Sequence, residues 1–197
     1  MKKNIKKGAV MIANIRYRIT IFTFFILIIY MIGLWRFNFF NNQITIMEGL
    51  SSVAKDRIAL ENNIQEMVKG YPIEQMVPYI IEKDTMTAAF LVSIAKKESN
   101  WGKRVPVLNG EDCFNYWGYR GIRDRMGTGG HTCFDSPEDA VDTVGKRITT
   151  LIKKYELTTP EDMIIWKCGS SCAGHSSYGV KKWITDVGYY FEKVIQN

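Results

Sequence analysis

The sequence predicts a mainly helical α+β domain with one small antiparallel β-element, preceded by a transmembrane helix and a stalk helix. Three observations predict it. A basic N-terminal stretch runs into a long uncharged apolar segment. A heptad-spaced segment follows. Several capped, helix-length segments then surround a single Gly- and aromatic-rich region.

The apolar segment comes first. At 197 residues the chain holds one ordinary domain plus an extension, and 46% hydrophobic with 13% aromatic residues is a globular composition. Residues 1–18 contain Lys2, Lys3, Lys6, Lys7, Arg16 and Arg18 and no acid. Without those six cations, 20 basic residues face 20 acidic ones, so the net charge of +6 belongs to the tail. The rest is formally neutral, which excludes a basic footprint for a phosphate backbone; no nucleic-acid partner is expected. Ile19 to Trp35 is uncharged, and Phe37, Phe39 and Phe40 extend it into the interface beside Arg36. Residues 19–40 read as an uncleaved single-pass anchor; the apolar run is too long for a signal peptide and no small-x-small site follows it. Cations before the run place the 1–18 tail in the cytoplasm and the rest of the chain in the periplasm or outside the cell.

Positions 46, 50, 53, 57, 60, 64, 67 and 71 follow 4-3-4-3 spacing with one polar break, Arg57. The seam suits a dimerising coiled coil or an amphipathic helix packed on the domain. Residues 41–70 are read as a stalk helix, with a second copy of the chain as a candidate partner. Gly70-Tyr71-Pro72 stops it.

Residues 71–197 form the remaining domain. IEQMVPYIIEKD reads as a helix bent or restarted at Pro78. Asp84 or Thr85 caps a helix from Met86 to Glu98 that is apolar nearly all round, the mark of a central helix. Cys113 to Phe134 reads as two or three short strands or a hairpin. Ser136-Pro137-Glu138-Asp139 and Thr159-Pro160-Glu161-Asp162 are helix starts, and a last amphipathic helix closes the chain.

The four cysteines, Cys113, Cys133, Cys168 and Cys172, all follow the anchor, and an even number in an external domain points to two disulfides. Three pairings are open. Cys113–Cys133 with Cys168–Cys172 is preferred because each closes a local loop. A zinc site using these cysteines with His131 or His175 is the rival, disfavoured because paired C-x2-C knuckles are missing. No metal and no cofactor is expected.

Glu98 ends the apolar helix. Apolar surroundings and the negative end of the helix dipole both favour the neutral carboxyl, the form a general acid needs. Around it stand Glu98-Ser99 with Trp101-Gly102, then Asn115-Tyr116-Trp117-Gly118, then Phe134-Asp135-Ser136-Pro137-Glu138-Asp139, and last Tyr178, Trp183 and Val187. In order and spacing this set, over about residues 72–194, resembles the lysozyme-like superfamily of peptidoglycan-cleaving enzymes, lytic transglycosylases and bacterial N-acetylglucosaminidases among them. The resemblance implies a catalytic domain in which Glu98 is the acid for a β-1,4 bond between amino sugars. It implies that Trp101, Asn115, Tyr116 and Trp117 serve a glycan groove and that Tyr178 approaches the acid. Ser99 closes the helix end or orients the acid. A hydrolase needs a second carboxylate; Glu111, Asp112, Asp124 and Asp135 are candidates, none in an evident family position. A transglycosylase needs one carboxyl group, and that chemistry is preferred. The competing expectation is a non-catalytic, membrane-anchored glycan-binding or envelope-assembly protein of the same fold.

Overall fold

The computed structural model describes residues 2–196, without the side chains of residues 1–17 and Ile19, so the cations of the expected tail up to Arg16 lie outside the described residues. The chain divides into two units at Ala54/Lys55.

One helix, α1 (Lys2–Val68), runs without a break through the segments expected as tail, anchor and stalk. The physical reason is the lack of a breaker. No proline interrupts residues 2–68, and Gly8, Gly33 and Gly49 cost a long helix only about 1 kcal/mol each relative to Ala. Over Thr20–Val68, α1 is long and apolar enough to cross a membrane, and its most apolar window is not buried in the protein.

In the second unit the heptad seam changes character. Arg57 is exposed and lies 3.9 Å from Glu82, Leu60 is half-buried, and Ile64 and Val68 are wholly buried in the core. The last turns of α1 are therefore part of the domain. Gly70, with φ at +76°, ends the run. Pro72–Met76 is a 3₁₀ turn and α2 (Val77–Ile80) a single helical turn, so IEQMVPYI is broken before Pro78 rather than continuous.

The central helix is α3 (Thr85–Ser99). Asp84 caps it, accepting a hydrogen bond from the Thr87 N–H at 3.0 Å. Phe90, Leu91, Val92 and Ile94 are fully buried, as an all-round apolar helix requires. Two helices cover it: α4 (Pro137–Tyr155) and α6 (Ser177–Ile195). Ser136 caps α4 by accepting from the Asp139 N–H at 3.1 Å, with Pro137 in the first turn. Ser176 caps α6 by accepting from Gly179. The MIIWK segment is a 3₁₀ turn followed by α5 (Ile165–Cys168).

The β-element is two separate hairpins. Strand β1 (Val107–Leu108) pairs antiparallel with β2 (Glu111–Asp112), and β3 (Met126–Gly127) with β4 (His131–Thr132). The first hairpin lies before Cys113, outside the expected region. Its turn is Asn109-Gly110, with φ of +54° and +87°, a tight hairpin signal that two-residue strands make easy to miss. CFNYWGYRG forms no strand. The disulfides are Cys113–Cys133 and Cys168–Cys172. The first staples the end of β2 to the end of β4, joining the hairpins.

Candidate active site

The end of α3 carries the site. Asn100 and Trp101 both take φ of +56° and Gly102 takes +91°, so three consecutive residues turn left-handed and reverse the chain. Contacts on every side hold this costly turn. Trp101 Nε1 donates to the Val92 carbonyl at 2.8 Å. Ser99 Oγ donates to Ala95 O and accepts from the Gly102 N–H, each at 2.9 Å. Ser99 therefore closes the helix end, one of its two expected roles.

Trp101 itself is 3% exposed and packs edge-on against Tyr71 and Tyr190. Its expected place against a glycan is corrected: the ring is core. Tyr116 and Trp117 are wholly buried and also offer no face to a sugar. Trp117 Nε1 donates to Leu91 O at 2.7 Å, and Tyr116 Oη donates to Asp112 Oδ2 at 3.0 Å. Burial first, then the Asp112 charge, pushes the Tyr116 hydroxyl far above the usual phenol range. Three rings in this turn-rich stretch are buried because each indole N–H or hydroxyl finds an acceptor.

Asn115 lies against the cleft, but its amide is engaged. Nδ2 donates to Tyr119 O and Thr132 O, each at 2.8 Å, and Oδ1 accepts from Tyr119 N at 2.9 Å. It shapes the wall rather than reaching for a ligand. Its turn brings Gly118, at φ +67°, beside the acid: a Cβ there would stand 3.7 Å from Glu98 Oε2.

Glu98 sits at the edge of an open cleft of about 420 Å3, whose walls include Arg104, Asn115, Gly118, Thr128 and His131. The residue is solvent-exposed. The apolar bulk of α3 lies beneath the carboxyl rather than around it, so the expected burial of this group is corrected. What holds it is α6. Trp183, wholly buried, donates from Nε1 to Glu98 Oε1 at 2.7 Å. One turn on, Asp186 pairs with Lys97 at 2.5 Å and with Lys182 at 3.0 Å. Burial pushes the Asp186 carboxyl up, but the hydrogen bonds from Lys97 and Lys182 outweigh it and hold it below the usual carboxylate range. Adjacent residues at the end of α3 are thus fixed by residues three apart on α6, a spacing that places both on one helical face.

Neither a family model, a curated protein nor a solved structure matches the chain. The site must therefore be read from its own chemistry.

Among the described residues lining the cleft, Glu98 is the one carboxylate. The four candidates for a second are elsewhere. Asp112 is bonded to Tyr116 and to the Phe114 N–H, and Asp135 pairs with Arg125 at 2.5 Å. Asp124 lines a separate hollow with Asp135, and Glu111 is exposed on β2. Tyr178 is 75% exposed at the start of α6 and does not line the cleft. His131 does, with Nδ1 3.0 Å from Thr128 O, whereas His175 faces another hollow beside Cys172. All four cysteines are in disulfides, so the rival zinc reading loses its thiolates.

Sequence reasoning missed two residues. Trp183 was read as part of a closing helix, and an indole on an apolar stripe is ordinarily core. Arg104 belongs to none of the motifs. Nothing local marks either; both gain meaning from what stands across from them.

Proposed function

We propose that the protein is a membrane-anchored glycosidase that cleaves β-1,4 bonds between amino sugars of peptidoglycan, with Glu98 as general acid and by lytic-transglycosylase-like chemistry. One observation carries the reading: among the described residues, an open cleft holds a single carboxyl group, fixed by a buried indole N–H at the end of the central helix. The helical α+β architecture and the motif order around Glu98 support a lysozyme-like domain. The apolar part of α1 supports the anchor, and the basic residues before it, with the two disulfides after it, favour a domain outside the cytoplasm.

The chemistry follows from having one carboxyl group. Protonated Glu98 gives its proton to the glycosidic oxygen, and the C1–O bond breaks with its electron pair on that oxygen. The resulting carboxylate takes the proton of the muramyl 6-hydroxyl as that oxygen bonds to C1. An anhydro ring closes, Glu98 recovers its proton and no water is consumed. Oε1 is engaged with Trp183, which leaves Oε2, on the Gly118 side, for the proton transfers. A hydrolase would need a second carboxylate at roughly 5–10 Å to act as nucleophile or to activate water.

The exposure of Glu98 and the burial of the three aromatic rings favour a second reading, a glycan-binding protein without catalysis. The test is the full chain in detergent micelles, oxidised, with purified peptidoglycan and Glu98→Gln in parallel. Mass spectrometry of released fragments decides. Anhydro-muramyl ends from the wild type alone support the proposal. Reducing ends point to a hydrolase. No release from either protein, with glycan binding retained in both, selects the binding protein.

A further inference from the structure

Beside the Glu98 cleft lies a second hollow of about 570 Å3. Lys96, Lys97 and Arg104 line it from the end of α3 and the turn beyond, and Asp186, Tyr189 and Tyr190 from α6. Arg104 lines both hollows, so they meet at its side chain.

The charges in this hollow do not cancel. Lys97 is matched by Asp186. The Lys96 ammonium lies over the Trp101 ring at 4.0 Å, with the Tyr71 and Tyr190 rings at 4.7 and 5.4 Å. Rings hold that cation in place without neutralising it. Among the described residues, no ion pair includes Lys96 or Arg104. A bland account exists for Lys96, since a cation in the last turn of a helix is favoured by the dipole. It does not cover Arg104. That residue lies beyond the left-handed turn, its backbone fixed by an N–H bond to Ser99 O at 3.0 Å and its side chain exposed.

We propose that Arg104, with Lys96 behind it, receives a carboxylate projecting from a glycan chain in the Glu98 cleft, so that the ligand is an anionic amino-sugar polymer and not a neutral one. The inference rests on the reading of that cleft as a glycan site. A guanidinium presents a planar fork that matches a carboxylate in two hydrogen bonds, the right group for an anion that must be placed as well as attracted. The edge-to-face pair Tyr189–Tyr190, with centroids 4.9 Å apart, gives an apolar wall beside it. Two sources supply such a carboxylate: the lactyl group of a muramyl sugar, or the peptide attached to that group.

The experiment measures binding, so that catalysis is not required. The full chain carrying Glu98→Gln, in detergent micelles, is titrated calorimetrically with three glycans of equal length. One is a neutral N-acetylglucosamine oligomer. One is an alternating glucosamine–muramic acid chain stripped of peptide. One is that chain with its peptides. Each titration is repeated with Arg104→Gln added, with Arg104→Lys added, and at higher salt. At least one anionic glycan is expected to bind about tenfold tighter than the neutral one, as a charge-assisted pair allows. That ratio should fall to about two- or threefold in Arg104→Gln, recover in part in Arg104→Lys and shrink with salt. The stripped chain tells a lactyl carboxylate from a peptide one. Equal affinity for neutral and anionic glycans, a ratio that ignores Arg104→Gln, or no binding of any glycan overturns the proposal. Preference for anionic glycan in a protein that releases no fragments from peptidoglycan overturns the catalytic reading alone. Glu98-dependent cleavage without that preference overturns this inference alone.

Discussion

Replacing Trp183 by Phe removes one N–H while keeping a ring in the same buried slot. The Nε1–Oε1 bond of 2.7 Å is the contact by which α6 fixes Glu98. A typical hydrogen bond contributes about 0.5–1.5 kcal/mol net. Glu98 is exposed, so water replaces part of what the carboxyl group loses, and about 1 kcal/mol is the net expectation for that bond. The missing five-membered ring leaves a void in a fully buried site, worth about 1 kcal/mol more. Trp183→Phe should therefore lower unfolding free energy by about 2 kcal/mol, read from urea midpoints at unchanged slope. The functional effect is separate. Freed from the indole, the carboxyl samples several rotamers, and a misplaced acid loses rate rather than affinity. The rate of anhydro-muramyl release should fall by about tenfold with KM little changed. Loss of stability with undiminished turnover would refute the argument, because the N–H would then be packing chemistry alone.

Gly102→Ala should cost about 3 kcal/mol in chemical denaturation: the new Cβ would stand 2.8 Å from Pro72 Cβ and 2.9 Å from the Tyr116 ring, at a φ of +91°. A cost below about 1 kcal/mol would show that the turn relaxes freely. Opening the 20-residue loop of Cys113–Cys133 by a double Ser substitution should cost about 3 kcal/mol, against about 2 kcal/mol for the 4-residue loop of Cys168–Cys172. The first loss should also abolish glycan binding before the fold melts, because Thr128 and His131 of the cleft wall hang from that staple. Asp139 is held below its ordinary 3.8 first by hydrogen bonds from Arg123, at 2.5 and 2.9 Å. Its folded value is depressed, so its contribution is complete above the unfolded value and fades as pH falls through the folded one. Asp139→Asn should cost about 1 kcal/mol at pH 7 and flatten the decline in melting temperature below pH 4. An unchanged acid limb would place the acid sensitivity elsewhere.

Much of the scaffold was legible because it depends on local chemistry. An unbroken apolar run makes a long helix whatever it touches. Ser136 with Pro137 caps α4, and Asp84 caps α3, through bonds to residues three positions on. Both disulfides close short loops, which proximity along the chain favours. The seam of α1 shows where that reach ends. Heptad spacing is identical at Leu50 and Ile64, yet the first is exposed and the second buried, because only the second has a domain against it.

The candidate site divides along the same line. The sequence by itself determined that a glutamate would stand at the end of the central helix, with Ser99 beside it to close the helix end or to orient the carboxyl group. It did not determine which rings face solvent. Trp101, Tyr116 and Trp117 have the composition of a sugar platform, but packing assigned them to the core, where the two indoles meet carbonyls of α3, Val92 and Leu91, and the phenol meets the Asp112 carboxylate. Trp183 is 85 residues from Glu98 and Arg104 lies across a hollow from Tyr189. Such pairings depend on how α3 and α6 pack, and helix packing is set by side chains along both faces at once. Tertiary structure alone decided that the acid is exposed and held from one side, and that an unpaired cation stands at the edge of its cleft.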